Sequence, residues 1–588
     1  MPKRLALASL LLATCLALAC SPREQAKNTY LAGLHGAKKL DCTSCHANGA
    51  ALDDSESEPN KQCVSCHGEL SAVAAKDPAY VAPHQSHLGN ITCTTCHHAH
   101  TASQSYCAQC HSPTLAIPFA DEWRPPTPPT TSVEPKVTES TDVVIVGSGG
   151  AGLTTAITAH ERGAKVIVLE KQPITGGNTM LASSGMNAAG TRFQQALKID
   201  DSPALMAQDT LTGGKNQGDP ALVNILASHS ADSLEWLVNL GADLSDVGLM
   251  AGSSVARTHR PRGGAAVGEN IIRALRAKAA ELGLDIRVNS KVVKIVEDAH
   301  GNVVGVQVLG KHRGLYAIQT KAVVVAAGGF SANPERVAHY RPEYAGMTSS
   351  NQPGAVGDGL DLGVAIDAET VGMDQIQIHP TLAAGSKTLI AEGLRGKGAV
   401  MVNHEGTRFI NEMANRDVAS AAVMKQTGKT AFLIFDDWIR KGFSQTEGYF
   451  HLGLVKEGAT IEELATQIGV PPATLAKTIA VYNQAYEAHS DPEWQRSPLP
   501  RPISTPKYYA VEIAPGVHYT MGGLKINVET QVIGKNGAPI PGFFAVGEVT
   551  GGVHGTNRLG GNSVSETITF GRIAGANAAA RALAPNAN

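Results

Sequence analysis

The sequence predicts a multi-domain chain in which a small, mostly irregular or α-helical domain precedes an α/β Rossmann-like domain. Three observations carry this. Eight of the ten cysteines fall between residues 42 and 110, arranged as four Cys-x-x-Cys-His units. A Pro-rich stretch without hydrophobic periodicity follows them. Then the apolar run Asp142-Val143-Val144-Ile145-Val146 leads directly into Gly147-Ser148-Gly149-Gly150-Ala151-Gly152, a helical pattern and a second apolar run, Lys165 to Leu169. At 588 residues the chain is also longer than one hydrophobic core supports.

The N-terminal residues Met1-Pro2-Lys3-Arg4 precede an apolar run from Leu5 to Ala19, the pattern of a secretory signal peptide. The run is too short to span a bilayer, and no other segment is long and apolar enough. Residues 1–19 are therefore expected to be removed on export to the periplasm. Cleavage after Ala17-Leu18-Ala19 leaves Cys20 first. A cysteine in that place is also where bacterial lipoproteins are acylated, so simple cleavage and a lipid anchor at Cys20 both stay open. A formal net charge of −3 is nearly neutral for this length and points away from nucleic-acid partners.

The four units are Cys42/Cys45/His46, Cys63/Cys66/His67, Cys93/Cys96/His97 and Cys107/Cys110/His111. Disulfides do not require a histidine after each pair, and zinc sites do not require four identical units. Covalent haem attachment requires this order: two thiolates add to the vinyl groups and the adjacent histidine binds the iron. The sixth positions fall to histidines too, because two strong-field ligands suit electron transfer. Five candidates remain in the segment, and of these His35, His84, His87 and His100 are chosen. His98 directly follows a ligand and is left as a surface residue. Residues 20–116 thus read as a haem-packed cytochrome domain carrying four haems c, which acts as a wire. Residues 117–138, with Pro125, Pro126, Pro128, Pro129 and Pro135, read as a semi-rigid linker.

In the second domain the glycines of the G-x-G-x-x-G turn bring the backbone to a pyrophosphate at a helix N-terminus. Glu170 stands where it accepts from a ribose hydroxyl. Two later runs, Val323 to Gly329 and Gly542 to Glu548, end in Gly-Gly and Gly-Glu, as in oxidoreductases that return twice to FAD. A fused haem domain agrees, since flavin accepts single electrons and nicotinamide does not.

The segments Gly176-Gly177-Asn178, Asn351 to Gly359, His379-Pro380-Thr381, Arg416-Asp417, His518 to Gly523 and Asn557 to Asn562 resemble the soluble flavocytochrome c fumarate reductases of Shewanella type. The resemblance covers essentially the mature chain. It implies an FAD-binding domain over 139–373 and 519–588, with an inserted α+β clamp domain over 374–518 that closes over the flavin. It implies non-covalent FAD held by Gly147, Gly149, Ala151, Gly152, Glu170, Asn178, Thr179, Ser184, Gly185, Val292, Asp358, Tyr519, Glu548, Ser563 and Val564. It places one substrate carboxylate on Arg558 and His518 and the other end on His379, with Gly561 and Glu392 alongside.

The same resemblance implies hydride transfer from FAD N5 to one alkene carbon and a proton from Arg416 to the other. An arginine ordinarily holds its proton up to a pKa above 12, so this role needs a relay, for which Glu392 and Arg395 occupy the family's positions. A structural sodium ion is implied near Thr520, Met521, Gly522, Glu548 and Thr550. The chain departs from the family at Ala391, where Thr is usual, and at Leu389, where Met is usual. A lost hydroxyl weakens the second carboxylate site by about 1.5 to 3 kcal/mol. Fumarate is the expected substrate, with methacrylate, acrylate, crotonate or urocanate as alternatives, a membrane quinol-oxidising cytochrome as donor, and a monomer as the working form. A pure electron-carrier cytochrome and a succinate dehydrogenase are the competing classes. Retention of all six polar site residues argues against the first, and an exported chain without a quinone-binding partner against the second.

Overall fold

The computed structural model describes residues 137–311 and 313–584, together with 35, 63, 64, 67, 92–97, 103, 104, 106, 120 and 121. The signal segment 1–19, Cys20, Cys42, Cys45, His46, Cys66, His84, His87, His100, Cys107, Cys110, His111 and most of the linker lie outside the described residues.

Along the chain the elements used below are β1 (Val143–Val146), α1 (Gly150–Glu161), β2 (Val166–Leu169), α2 (Val267–Glu281), β3 (Asp285–Arg287) and β4 (Ala322–Val325). Next come β5 (Ile376–Ala383), α3 (Glu392–Gly396), β6 (Val400–Val402), α4 (Arg416–Met424), β7 (Ala431–Asp436), β8 (Val455–Gly458) and β9 (Tyr508–Thr520). The last are β10 (Gln531–Ile533), β11 (Pro539–Ala545) and α5 (Asn562–Leu583).

β1, β2 and β4 are buried at every position, which is why they read as unbroken apolar runs rather than alternating ones. They form a sheet in the order β10-β11-β4-β1-β2-β3, parallel throughout except for β10. α1 starts at the end of β1, and α5 packs along it. That approach needs small residues: a Cβ on Gly575 would lie 2.6 Å from the Thr155 carbonyl oxygen. The turn between β1 and α1 is tighter still. Gly147 has φ +105°, and a Cβ on Gly152 would come within 1.9 Å of the Gly147 oxygen. A second, four-stranded sheet joins Ser290–Glu297, Val303–Gly310 and Gly314–Gln319 to Val137–Ser140.

The inserted unit is a five-stranded antiparallel sheet, β5-β9-β7-β6 with β8 also on β9. Two apolar clusters, one around Phe435 and Tyr509 and one around Phe432 and Tyr482, cover its faces. β5 and β9 lead into and out of the unit side by side, from the pair Ile376 and Thr520 onward. The β9 ladder therefore runs past residue 518. The register of β5 slips between His379 and Leu382. Pro380 sits in this gap, having no N–H to give to the ladder.

Of the haem-bearing region, Cys93–Thr95 form a 3-10 turn whose Cys93 carbonyl accepts from the N–H of His97 at 2.9 Å. The turn keeps both cysteines and the histidine of that unit together. Cys96 and Tyr106 are buried against Ile174 of the Rossmann-like unit.

Candidate active site

Between the two units runs a cleft of about 420 Å³. On one wall the strand ends and helix starts expected to hold a dinucleotide come together: Gly147, Gly149, Ala151, Glu170, Asn178, Thr179, Ser184, Gly185, Val292, Asp358, Glu548, Ser563 and Val564, with Tyr519 and Gly561. Gly152 is behind this wall, where its lack of a side chain permits the turn. The start of α5 at Gly561 to Val564 and the start of α1 both open onto the cleft, so free backbone N–H groups and the positive ends of two helix dipoles face it.

The polar groups on this wall are fixed by neighbours. Glu170 accepts the Ser148 N–H at 2.9 Å, the Ser148 hydroxyl at 2.8 Å and the Gln172 N–H at 2.8 Å. These contacts fix the carboxylate on the cleft wall. Asp358 is paired with Lys171 and, at 3.0 Å, with Lys291. Asn178 bonds Asn351 and receives the Gln352 N–H at 2.9 Å. Thr179 accepts the N–H of Gly150 at 3.2 Å. Burial pushes the Glu548 carboxyl up to about 7.

Thr520 donates its N–H to Glu548 at 3.0 Å. Leu524 pairs with Thr550 across a short parallel ladder. The residues expected around sodium, Thr520, Met521, Gly522, Glu548 and Thr550, are thus neighbours.

At the far end the cleft meets a group of cations. Arg416, at the start of α4, donates Nε to Glu392 at 3.0 Å and Nη1 to Gln377 at 3.1 Å. Glu392 starts α3; it also accepts the Ala251 N–H at 3.2 Å, and Arg395 one turn on lies 3.7 Å away. Burial pushes the Glu392 carboxyl up, but Arg416 and Arg395 outweigh it and hold the group below its ordinary value, as a carboxylate. Arg395 is fully buried and gives Nη1 to the Glu412 carbonyl at 2.6 Å. Arg558 lies over the Tyr519 ring at 4.6 Å, and burial with Arg416 nearby lowers it to about 10.

His379 and His518 meet edge to face with centroids 5.0 Å apart. Burial first, and then the surrounding arginines, hold both well below the ordinary histidine value, so both are neutral. Among the described residues, His379 Nε2 and Arg558 Nε are buried without a hydrogen-bond partner. Orphaned donors of this kind call for a ligand, and donors grouped beside cations call for an anion.

The structure brings Arg416, His518 and Arg558 to the cleft surface and sets Glu392, Arg395 and His379 directly behind. Gln377 was not singled out from sequence, although it shares the β5 face of His379 at the two-residue strand period. Ser350, Asn351 and Tyr449 also line or brace the site, and nothing in their surroundings in sequence marked Ser350 or Tyr449. Of the histidines expected to bind haem iron, His35 and His67 have ring centroids 5.9 Å apart.

A dinucleotide cleft roofed by an inserted unit, behind a segment of haem-attachment units, defines an FAD-dependent oxidoreductase with its own cytochrome. The FAD binding domain family matches residues 142–564, and the cytochrome c3 family matches residues 34–112. Over 92% of its length the chain is 46% identical to 97% of the fumarate reductase (cytochrome) of Shewanella frigidimarina. It is 38% identical to the urocanate reductase of Eggerthella lenta, over 76% of each chain. An open-conformation flavocytochrome c3 fumarate reductase superposes with a TM-score of 0.80 at 44% identity, covering 94% of this chain and 99% of that one. The chain belongs to the flavocytochrome c fumarate reductase family, with FAD and haem c as its cofactors.

Proposed function

We propose that the protein reduces the double bond of fumarate to give succinate. The observation that carries this reading is the pair of orphaned nitrogens, Arg558 Nε at the cleft and His379 Nε2 directly behind it, beside the Arg416–Glu392 pair. FAD bound in the cleft supplies a hydride, and the haems supply the single electrons that replenish it.

Arg558 and His518 hold one substrate carboxylate, Arg558 offering a fork of parallel donors, while His379 holds the other end. This cluster of positive charge draws electron density toward the carboxylates and stabilises the carbanion character that develops when hydride arrives. Arg416 gives its proton to the second alkene carbon and regains one through Glu392, which is ionised and in contact with it, and through Arg395 behind. Residues 374–518 act as a clamp that excludes water. Electrons enter from a membrane quinol-oxidising cytochrome, and the protein works as an exported monomer. Among the described residues no helix is long and apolar enough to cross a membrane.

Ala391 and Leu389 favour a second reading. Ala391 is buried and presents no hydroxyl, and Leu389 lines the cleft. A monocarboxylate such as methacrylate, acrylate or crotonate loses less there than a dicarboxylate does. The deciding experiment is the oxidation of reduced methyl viologen by the purified protein with fumarate, the three monocarboxylates and urocanate. The highest kcat/KM on fumarate supports the first reading. A monocarboxylate ahead supports the second, and Ala391→Thr should then return preference to fumarate by on the order of tenfold or more. No turnover with any of them would remove both.

A further inference from the structure

The segment Thr348 to Asn351 belongs to the Rossmann-like unit and was assigned no part in substrate binding. It runs beside Val517 and His518. Ser350 gives its N–H to the Val517 carbonyl at 3.0 Å, and Val517 gives its own to Thr348 at 2.8 Å. Asn351 Nδ2 donates to the His518 carbonyl at 2.7 Å. The backbone of His518 is thus gripped from one side. Within that grip the Ser350 hydroxyl lies 2.7 Å from His518 Nδ1.

A hydroxyl and a neutral imidazole nitrogen share one proton between them, and which of them donates fixes the far nitrogen. If Ser350 donates, Nδ1 is the acceptor and Nε2 carries the ring proton. If Nδ1–H donates instead, the serine proton needs another acceptor. The one at hand is the Val517 carbonyl at 3.4 Å, near the limit for a hydrogen bond, and that carbonyl already accepts the Ser350 N–H. The first arrangement uses the better contact. It also suits the chemistry, because a carboxylate oxygen needs a donor and a bare Nε2 lone pair would repel it. His518 faces Arg416 from α4, Arg558 from the segment ahead of α5 and His379 from β5. The two arginines supply the positive charge for the anion, so the tautomer of His518 sets the geometry of binding rather than its charge.

We propose that Ser350 is a positioning residue that keeps His518 as the Nε2–H tautomer, making it a donor to a substrate carboxylate. This rests on the enoate reading above. It predicts that the hydroxyl affects binding more than chemistry, since its effect reaches the substrate only through His518.

The test is paired. Fumarate binding to the oxidised holoprotein is followed through the flavin absorbance, and steady-state kinetics are measured on the same samples, for wild type, Ser350→Ala and Ser350→Thr. Ser350→Ala should raise Kd and KM on the order of tenfold while kcat falls far less and the flavin content holds, and Ser350→Thr should restore binding. Unchanged Kd in Ser350→Ala overturns the proposal. So does an equal loss of kcat and flavin in both variants, which would make Ser350 a structural residue. A wild type that binds fumarate without turning it over removes the functional reading, and the binding arm still decides on Ser350. A wild type that binds no fumarate removes both.

Discussion

At the scale of single residues the site is an exercise in holding charge where water is absent. Glu392 is buried, and alone it would take up a proton; Arg416 at 3.0 Å and Arg395 at 3.7 Å reverse that. Removing one member of such a pair leaves the other uncompensated. Arg416→Ala should lower kcat by about 10²- to 10⁴-fold, the range of a lost general acid, with a smaller change in KM. Glu392→Gln should lower kcat less, because it slows resupply of the proton and leaves the donor in place. Steady-state kinetics on both variants checks the order. His379, Arg416, His518 and Arg558 were legible because each sits in a short motif of the family, and Glu392 and Arg395 because the resemblance supplies their positions. Ser350 was not, since a serine among Thr348, Ser349 and Asn351 has no distinguishing pattern. Its meaning comes from a strand more than 160 positions later in the chain.

At the scale of elements, the β1–α1–β2 unit was readable in full, because a continuous apolar run, a glycine turn and a second run leave the backbone few alternatives. The short strands were less so. Thr258–Arg260 is buried at all three positions although none of its residues is apolar. Its burial depends on partners from elsewhere: His259 gives Nδ1–H to the Arg257 carbonyl at 2.9 Å and receives the Thr191 hydroxyl at Nε2 at 2.8 Å. With both nitrogens engaged in the neutral form, burial lowers this histidine to about 4. The unfolded chain takes up a proton near 6.5 and the folded one does not. Stability from this group is therefore whole above pH 6.5 and is lost as pH falls toward 4, by roughly 3 kcal/mol in all. Thermal unfolding across that range should show the decline, and His259→Gln should flatten it while lowering the melting temperature at pH 8.

For the whole molecule, the cleft is made by two units that several polar contacts bridge. Gln445 of the inserted unit gives its amide to the Ser183 carbonyl at 3.0 Å and the Gly264 carbonyl at 3.1 Å across the gap. Glu392 receives the Ala251 N–H, and Lys215 meets Asp417 at 2.7 Å at the surface. The surface pair is screened and weak, whereas Gln445 makes two hydrogen bonds across the gap. Gln445→Ala should raise KM by roughly threefold to tenfold, the size of one or two neutral hydrogen bonds, with full flavin occupancy measured by absorbance. The existence of an inserted unit came from family motifs, not from periodicity. Its sheet is joined by β9, whose partners β5, β7 and β8 lie up to 144 residues away (Ile376 to Thr520), and no local pattern announces such pairings.

The order of strands in the larger sheet has a further consequence, for how the protein matures. β4 lies between β1 and β11, neighbours from opposite ends of the described sequence, and α5 must then settle on α1. Pairings this distant form late and slowly. The cysteines and histidines that take haem all precede residue 112 and wait for nothing downstream. The order of the sequence thus allows haem attachment to precede flavin capture. A chain interrupted before β11 would carry the means to move electrons with no place to deliver them.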